Sequence, residues 1–122
     1  MSLFKHSQVK EINASAFNDK KLKNELLGSS GAIVVFYASW CGHCQFLAPE
    51  LKKFASVMGS CIKVYAIESV NEDLTKLFKI EAFPTIKFTK SGSLINANNF
   101  GREYADMVKF ILTKTSECKI KK

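Results

Sequence analysis

The chain has 122 residues, 47% of them hydrophobic, and its 18 Lys+Arg against 11 Asp+Glu give a net charge of +7. That length suits one domain, and so much apolar material excludes a disordered chain. No apolar run is long enough to span a membrane, and the basic residues are scattered lysines apart from Arg102, without the arginine cluster or basic–aromatic stripe of a nucleic-acid binder.

In chain order, Gln8 to Ile12 has the makings of an edge strand. Ser15 to Leu27, with Phe17, Leu22, Leu26 and Leu27 among charges, predicts an amphipathic helix that Gly28 ends. Ala32 to Ala38 is a continuous β-branched and aromatic run, the pattern of a central strand buried on both faces. Cys41 to Met58 reads as a long helix, since Phe46, Leu47, Leu51, Phe54, Ala55 and Met58 recur at helical spacing. Pro49 lies inside it and should kink it, because it cannot donate to the Gln45 carbonyl; Gly59 is the stop signal.

Cys61 to Ile67 is the next strand, and Asn71 is placed to cap a short helix carrying Leu74, Leu77 and Phe78. Thr85 to Thr89 and Leu94 to Asn98 flank the turn Lys90-Ser91-Gly92-Ser93, a hairpin. Arg102 to Thr115 closes the chain as a helix with Tyr104, Met107, Val108, Ile111 and Leu112 on one side. The order β-α-β-α-β-α-β-β-α predicts an α/β fold: a mixed central sheet, mostly parallel with an antiparallel edge hairpin, flanked by helices on both faces. Residues 1–122 read as a single domain with its core over about 8–115 and a basic tail over 116–122. The N-terminus turns polar at once, so no signal peptide is visible, and the tail matches neither an ER-retention signal nor a prenylation box.

Four cysteines, Cys41, Cys44, Cys61 and Cys118, are too few and too unevenly spaced for a disulfide scaffold. One close pair and two loners is instead the pattern of a redox site in a fold held by its own core. Cys41 and Cys44 straddle the junction of the buried strand and the long helix. There the unpaired N–H groups and the positive end of the helix dipole favour a thiolate, so a lowered pKa is expected for Cys41. Cys41 should attack a substrate disulfide from the exposed side, and Cys44, one turn inward, should resolve the mixed disulfide. Cys61 reads most simply as a buried apolar thiol and Cys118 as an exposed one, with a bridge between them left open because spacing does not decide it. A zinc site would need a second ligand pair that Cys61 and Cys118 do not form, so no metal is assigned.

The segment Val35-Phe36-Tyr37-Ala38-Ser39-Trp40-Cys41-Gly42-His43-Cys44-Gln45-Phe46-Leu47-Ala48-Pro49-Glu50 resembles the active-site segment of a protein disulfide isomerase catalytic domain. Ala82-Phe83-Pro84-Thr85-Ile86-Lys87-Phe88 is similar to that family's cis-proline segment, and Phe100-Gly101-Arg102-Glu103 to its late glycine–arginine motif. The likeness runs from about Val9 to Leu112 and implies a thioredoxin fold. It implies a cis bond before Pro84, bringing the Phe83 backbone beside Cys41 to pair with an extended client, and an Arg102 that eases deprotonation of Cys44. Trp40 would cover the rim of the site. Gly42-His43 between the cysteines follows the isomerases rather than the Gly-Pro of thioredoxins. The two families differ by roughly 90 mV, about 4 kcal/mol. A histidine here favours the Cys41 thiolate and hence a more oxidising disulfide.

Val35 stands where the family places a buried carboxylate that relays protons to Cys44, and Ala66 or Tyr65 stands where its lysine partner is usual. Losing both together avoids an unpaired buried charge, and leaves proton transfer to water, His43 or Arg102. Ser39 for proline and Ala82 for glycine are local departures. The resemblance implies an enzyme that makes, breaks and isomerises protein disulfides with no bound cofactor. Its partners would be unfolded or disulfide-containing clients and small thiols such as glutathione, and it would work as a monomer in the endoplasmic reticulum lumen if a signal was removed. The alternatives are a cytoplasmic thioredoxin-like reductase, and a chaperone module holding clients around Trp40 and Phe83 with little turnover.

Overall fold

Every residue of Ala32–Tyr37 (β4) is fully buried, as a strand whose one polar side-chain group is the Tyr37 hydroxyl must be to gain from its apolar surface. The computed structural model describes residues 3–97, 101–115 and 118. Around β4 lie Lys10–Glu11 (β1), Phe17–Asn18 (β2), Lys21–Leu22 (β3), Gly42–Met58 (α1), Lys63–Glu68 (β5), Glu72–Leu77 (α2), Thr85–Thr89 (β6), Ile95–Asn96 (β7) and Tyr104–Lys114 (α3). Among the described residues the main sheet runs β1-β5-β4-β6-β7. β1 and β4 are parallel to β5, β6 is antiparallel to β4, and β7 is antiparallel to β6. The fold is the mixed sheet expected from the pattern, although β6 runs antiparallel despite following a helix.

Side chains alternate across β4 with the period of a strand. Ile33, Val35 and Tyr37 share one core with Leu47, Leu51 and Phe54 of α1 and with Met107 and Ile111 of α3. Ala32, Val34 and Phe36 share the other with Tyr65, Ile67 and, from α2, Leu74. Helices therefore cover both faces. The buried stripe of α1 is Cys44, Leu47, Ala48, Leu51, Phe54, Ala55 and Met58. Phe46, expected on it, is instead 71% exposed, because it lies one position off the narrow inward face. Leu112 is likewise exposed, on the outer side of α3.

The helix expected over Ser15 to Leu27 does not form. Two short 3₁₀ turns at Ala14–Ala16 and Asn24–Leu26 bracket a small antiparallel pair, β2 with β3. Asp19 takes a positive φ of 55° and makes the tight turn between them, while the Asn13 side chain caps the first 3₁₀ turn by accepting from the Ser15 N–H. Phe17 and Leu22 still reach the core, but at strand rather than helix spacing. Asn71 takes the N-cap position of α2, its carbonyl accepting the Thr75 N–H, but its side chain makes no cap bond and donates instead to the Glu68 carbonyl at 3.0 Å. Asn98, Phe100 and the tail other than Cys118 lie outside the described residues.

Cys61 precedes β5 and is neither an apolar thiol nor a loner: it is disulfide-bonded to Cys118, with the Cα atoms 5.7 Å apart. Cys118, expected to be exposed, is buried. The loop before β4 explains the meeting. Gly28 packs so closely on the Cys61 carbonyl that a Cβ would collide with it, and Ser30 donates its N–H to that carbonyl at 2.8 Å. Just after α3, the Thr115 hydroxyl donates to the Ser30 hydroxyl at 3.3 Å, bringing the tail to the same place.

Candidate active site

The register sets the site. β4 runs out at Tyr37 toward α1, and Phe36 is paired with Thr85 at the start of β6, so the residues before Thr85 lie across from the segment leading to Cys41. The Phe83–Pro84 peptide bond is cis, and the Phe83 carbonyl accepts from the Cys41 thiol at 3.5 Å. Phe83 is half-buried, Pro84 buried, and the ring of Trp40, 74% exposed, meets that of Phe83 edge-on at 6.3 Å. The two aromatics form an apolar rim beside the sulfur.

Cys41 is the N-cap residue of α1, with extended backbone (φ −84°, ψ 120°), and its Sγ accepts the Cys44 N–H at 3.3 Å. A sulfur takes the place that a serine or aspartate oxygen usually holds at a helix start. Cys41 is only 8% exposed, more covered than its expected position on the outer side, and Cys44 is fully buried. Burial pushes the Cys41 pKa up, but hydrogen bonds from the Cys44 thiol and from the Cys44 and His43 N–H groups, with the Arg102 charge, outweigh it, and the net shift is downward. For Cys44, burial and then its hydrogen bond to Cys41 push the pKa up to about 12. The environment separates two chemically identical thiols into an anion-prone sulfur at the mouth and a protonated one behind it.

His43 and Gly42 are exposed at the first turn. His43 acts on the Cys41 sulfur through its main-chain N–H. A Cβ at Gly42 would meet nothing within 4 Å, so the fold does not demand glycine there; its bareness leaves the approach to Cys41 open. Arg102 is half-buried, and its charge reaches both thiols, lowering each. The preceding Gly101 has a φ of 93° and presses on the Asp106 carboxylate, which a side chain would strike; this holds Arg102 at the foot of α3.

Val35 is fully buried in the same core as Cys44, and the strand register places Ala66 beside it, while Tyr65 faces the opposite core and donates its hydroxyl to the Leu26 carbonyl. Val35 and Ala66, neighbours across the two strands, are thus both apolar. Two supporting residues carried no clear signal in the sequence. Glu50 accepts the Tyr104 N–H at 2.9 Å, tying α1 to the start of α3, and Glu11 accepts the hydroxyl of buried Tyr37. A carboxylate inside a recognisable motif was the only hint at Glu50.

The family model for thioredoxin matches residues 8–113. Among curated relatives, protein disulfide-isomerase of Oryctolagus cuniculus is 34% identical over 86% of the chain, and protein disulfide-isomerase of Datisca glomerata is 37% identical over 88%. The chain spans 22% of the length of each. Among solved structures, the first thioredoxin domain of mouse protein disulfide-isomerase A4 superposes with a TM-score of 0.70 at 28% identity, over 90% of this chain and 78% of that one.

Proposed function

The chain belongs to the thioredoxin family, and from that premise we propose that it is a thiol–disulfide oxidoreductase of the protein disulfide isomerase type. The reading rests on the asymmetry of the cysteine pair: Cys41 shifted toward the thiolate at a helix start, Cys44 buried behind it and shifted toward the thiol.

In the reducing direction the Cys41 thiolate attacks one sulfur of a client disulfide. A new S–S bond forms, the client bond breaks, and the departing client sulfur leaves as a thiolate that takes a proton. Cys44 then loses its proton and attacks the Cys41 sulfur, expelling the second client thiolate. Two electrons have passed to the client, and Cys41 and Cys44 are joined. The reverse sequence oxidises a client dithiol. Incomplete passage, in which the client's own thiol attacks the mixed disulfide, isomerises it. Catalytic roles fall to Cys41 and Cys44, with Gly42 and His43 shaping the helix start and Arg102 favouring deprotonation of Cys44. With Val35 and Ala66 apolar, the proton from Cys44 goes to water or to a leaving thiolate. Trp40, Phe83 and Pro84 form the client contact, where an extended segment can pair with the Phe83 backbone.

Clients are disulfide-containing or unfolded proteins, and glutathione is the small-thiol partner that resets the pair. The endoplasmic reticulum lumen is the compartment this reading favours. The relatives are protein disulfide-isomerases, and the Cys61–Cys118 disulfide suits an oxidising environment.

The test is the Cys41/Cys44 reduction potential, measured by quenching the chain in graded glutathione buffers. It should lie near about −180 mV, the isomerase range. A value near about −270 mV would reassign the chain as a thioredoxin-like reductase.

A further inference from the structure

A groove of about 450 Å³ lies along the first two turns of α1 after the cysteine pair, lined by Gln45, Phe46, Pro49 and Glu50 with Glu103. Its floor is apolar. Phe46 is 71% exposed, though an aromatic ring of that size is ordinarily driven inside. Its walls are acidic: the only formal charges among the lining residues are Glu50 and Glu103, on a chain whose net charge is +7. Lys53 sits over the Tyr104 ring at 4.6 Å, and Arg102 acts on the thiols. Gln45 and Phe46 directly follow Cys44, and side chains on a helix lean toward its N-terminus, here the end that carries Cys41.

An apolar floor with carboxylates at its edge fits one kind of side chain: a long aliphatic stem ending in a cation. We propose that the groove is a client subsite for a lysine or arginine close in sequence to the client cysteine. The stem lies on Phe46 and Pro49, and the head sits between Glu103 and Glu50, over the face of the Phe46 ring. Glu50 already accepts the Tyr104 N–H with one oxygen, so Glu103, exposed at the foot of α3, supplies most of the selectivity. The proposal rests on the oxidoreductase reading above and names the client chemistry that reading leaves open.

The test uses the reduced Cys44→Ser chain and three cysteine peptides, each activated as a mixed disulfide with a chromogenic thiol. The peptides differ only in carrying lysine, norleucine or glutamate beside the cysteine. Each rate of Cys41 attack is divided by that of β-mercaptoethanol attacking the same peptide, which removes the peptide's own reactivity. Lysine should exceed glutamate by about fivefold, the upper end for one exposed ion pair, with norleucine between. High salt should collapse the difference. Glu103→Gln should weaken the preference and Glu103→Lys abolish or reverse it, each read as the ratio of lysine and glutamate rates to the norleucine rate within the same variant. Equal normalised rates, or an order that ignores Glu103→Lys, would overturn the subsite and leave the oxidoreductase reading standing. No attack on any peptide would remove both.

Discussion

Replacing Cys41 with serine is expected to bring client disulfide reduction and isomerisation down to the uncatalysed background, whereas Cys44→Ser is expected to stop the reaction halfway, as a stable covalent complex. The difference follows from the positions of the two sulfurs. At the N-cap of α1 the Cys41 sulfur receives the Cys44 N–H, and the sum of its interactions favours the anion. A serine hydroxyl in that place stays protonated at any working pH and cannot attack sulfur. Cys44→Ser keeps the residue-44 N–H and puts a hydroxyl donor where the Cys44 thiol donated to Cys41, but removes the sulfur that would displace the captured client. Non-reducing electrophoresis and mass measurement would show a one-to-one adduct through Cys41 with Cys44→Ser and none when Cys41→Ser is combined with it. Wild type showing no turnover, and Cys44→Ser showing no adduct, would mark the chain as a holding module organised around Trp40 and Phe83.

The second large effect is on stability. Removing the Cys61–Cys118 disulfide, by Cys61→Ala with Cys118→Ala, is expected to cost about 4 kcal/mol, the chain-entropy value for a loop of this length. The bridge spans a sequence separation of 57 residues. For a domain of this size that is a fall in Tm of roughly 12–20 °C. Most of the effect acts on the unfolded chain, since α3 already packs on α1 through Met107 and Ile111 in the folded one. The double variant avoids leaving an unpaired thiol. Mild reduction of wild type should reproduce the shift as the thiol count under denaturing conditions rises from two to all four cysteines. An unchanged Tm would mean that the Ser30–Cys61 and Thr115–Ser30 hydrogen bonds hold the tail without the bridge.

The parts of the molecule that were legible in the sequence are those where neighbouring residues decide their own structure. Ala32–Tyr37 is a run of aliphatic and aromatic side chains, and the stripe from Cys44 to Met58 repeats with the helix, so the strand-to-helix junction carrying the cysteines could be located from pattern alone. The cis bond before Pro84 came from resemblance, because a lone X–Pro bond is trans in most folded chains. What misled was distance or degeneracy. Apolar residues at Phe17, Leu22 and Leu26 suit a helix as well as a small hairpin, and the deciding feature was Asp19 accepting a left-handed turn. Phe46 fits the helical period but misses the inward face by one position, which places it beside the site instead of in the core. Spacing left the Cys61–Cys118 pairing undecided, because their meeting depends on Gly28 and Ser30 lying against Cys61 and on α3 ending at that loop. The apolar identity of Val35 was visible at once, but only the register showed Ala66 as its neighbour.

The chemistry depends on the Cys41 sulfur ionising at a lower pH than an ordinary cysteine. The most direct measurement is the pH dependence of iodoacetamide alkylation in the protein reduced at the active site. With Cys61 and Cys118 bonded to each other and Cys44 pushed up to about 12, Cys41 is the thiol that reacts near neutrality. A group whose folded pKa is depressed gains its charge at lower pH, so the alkylation rate should reach half its plateau below the titration of free cysteine. A rate that climbs only where a free cysteine ionises, or later, would contradict the account.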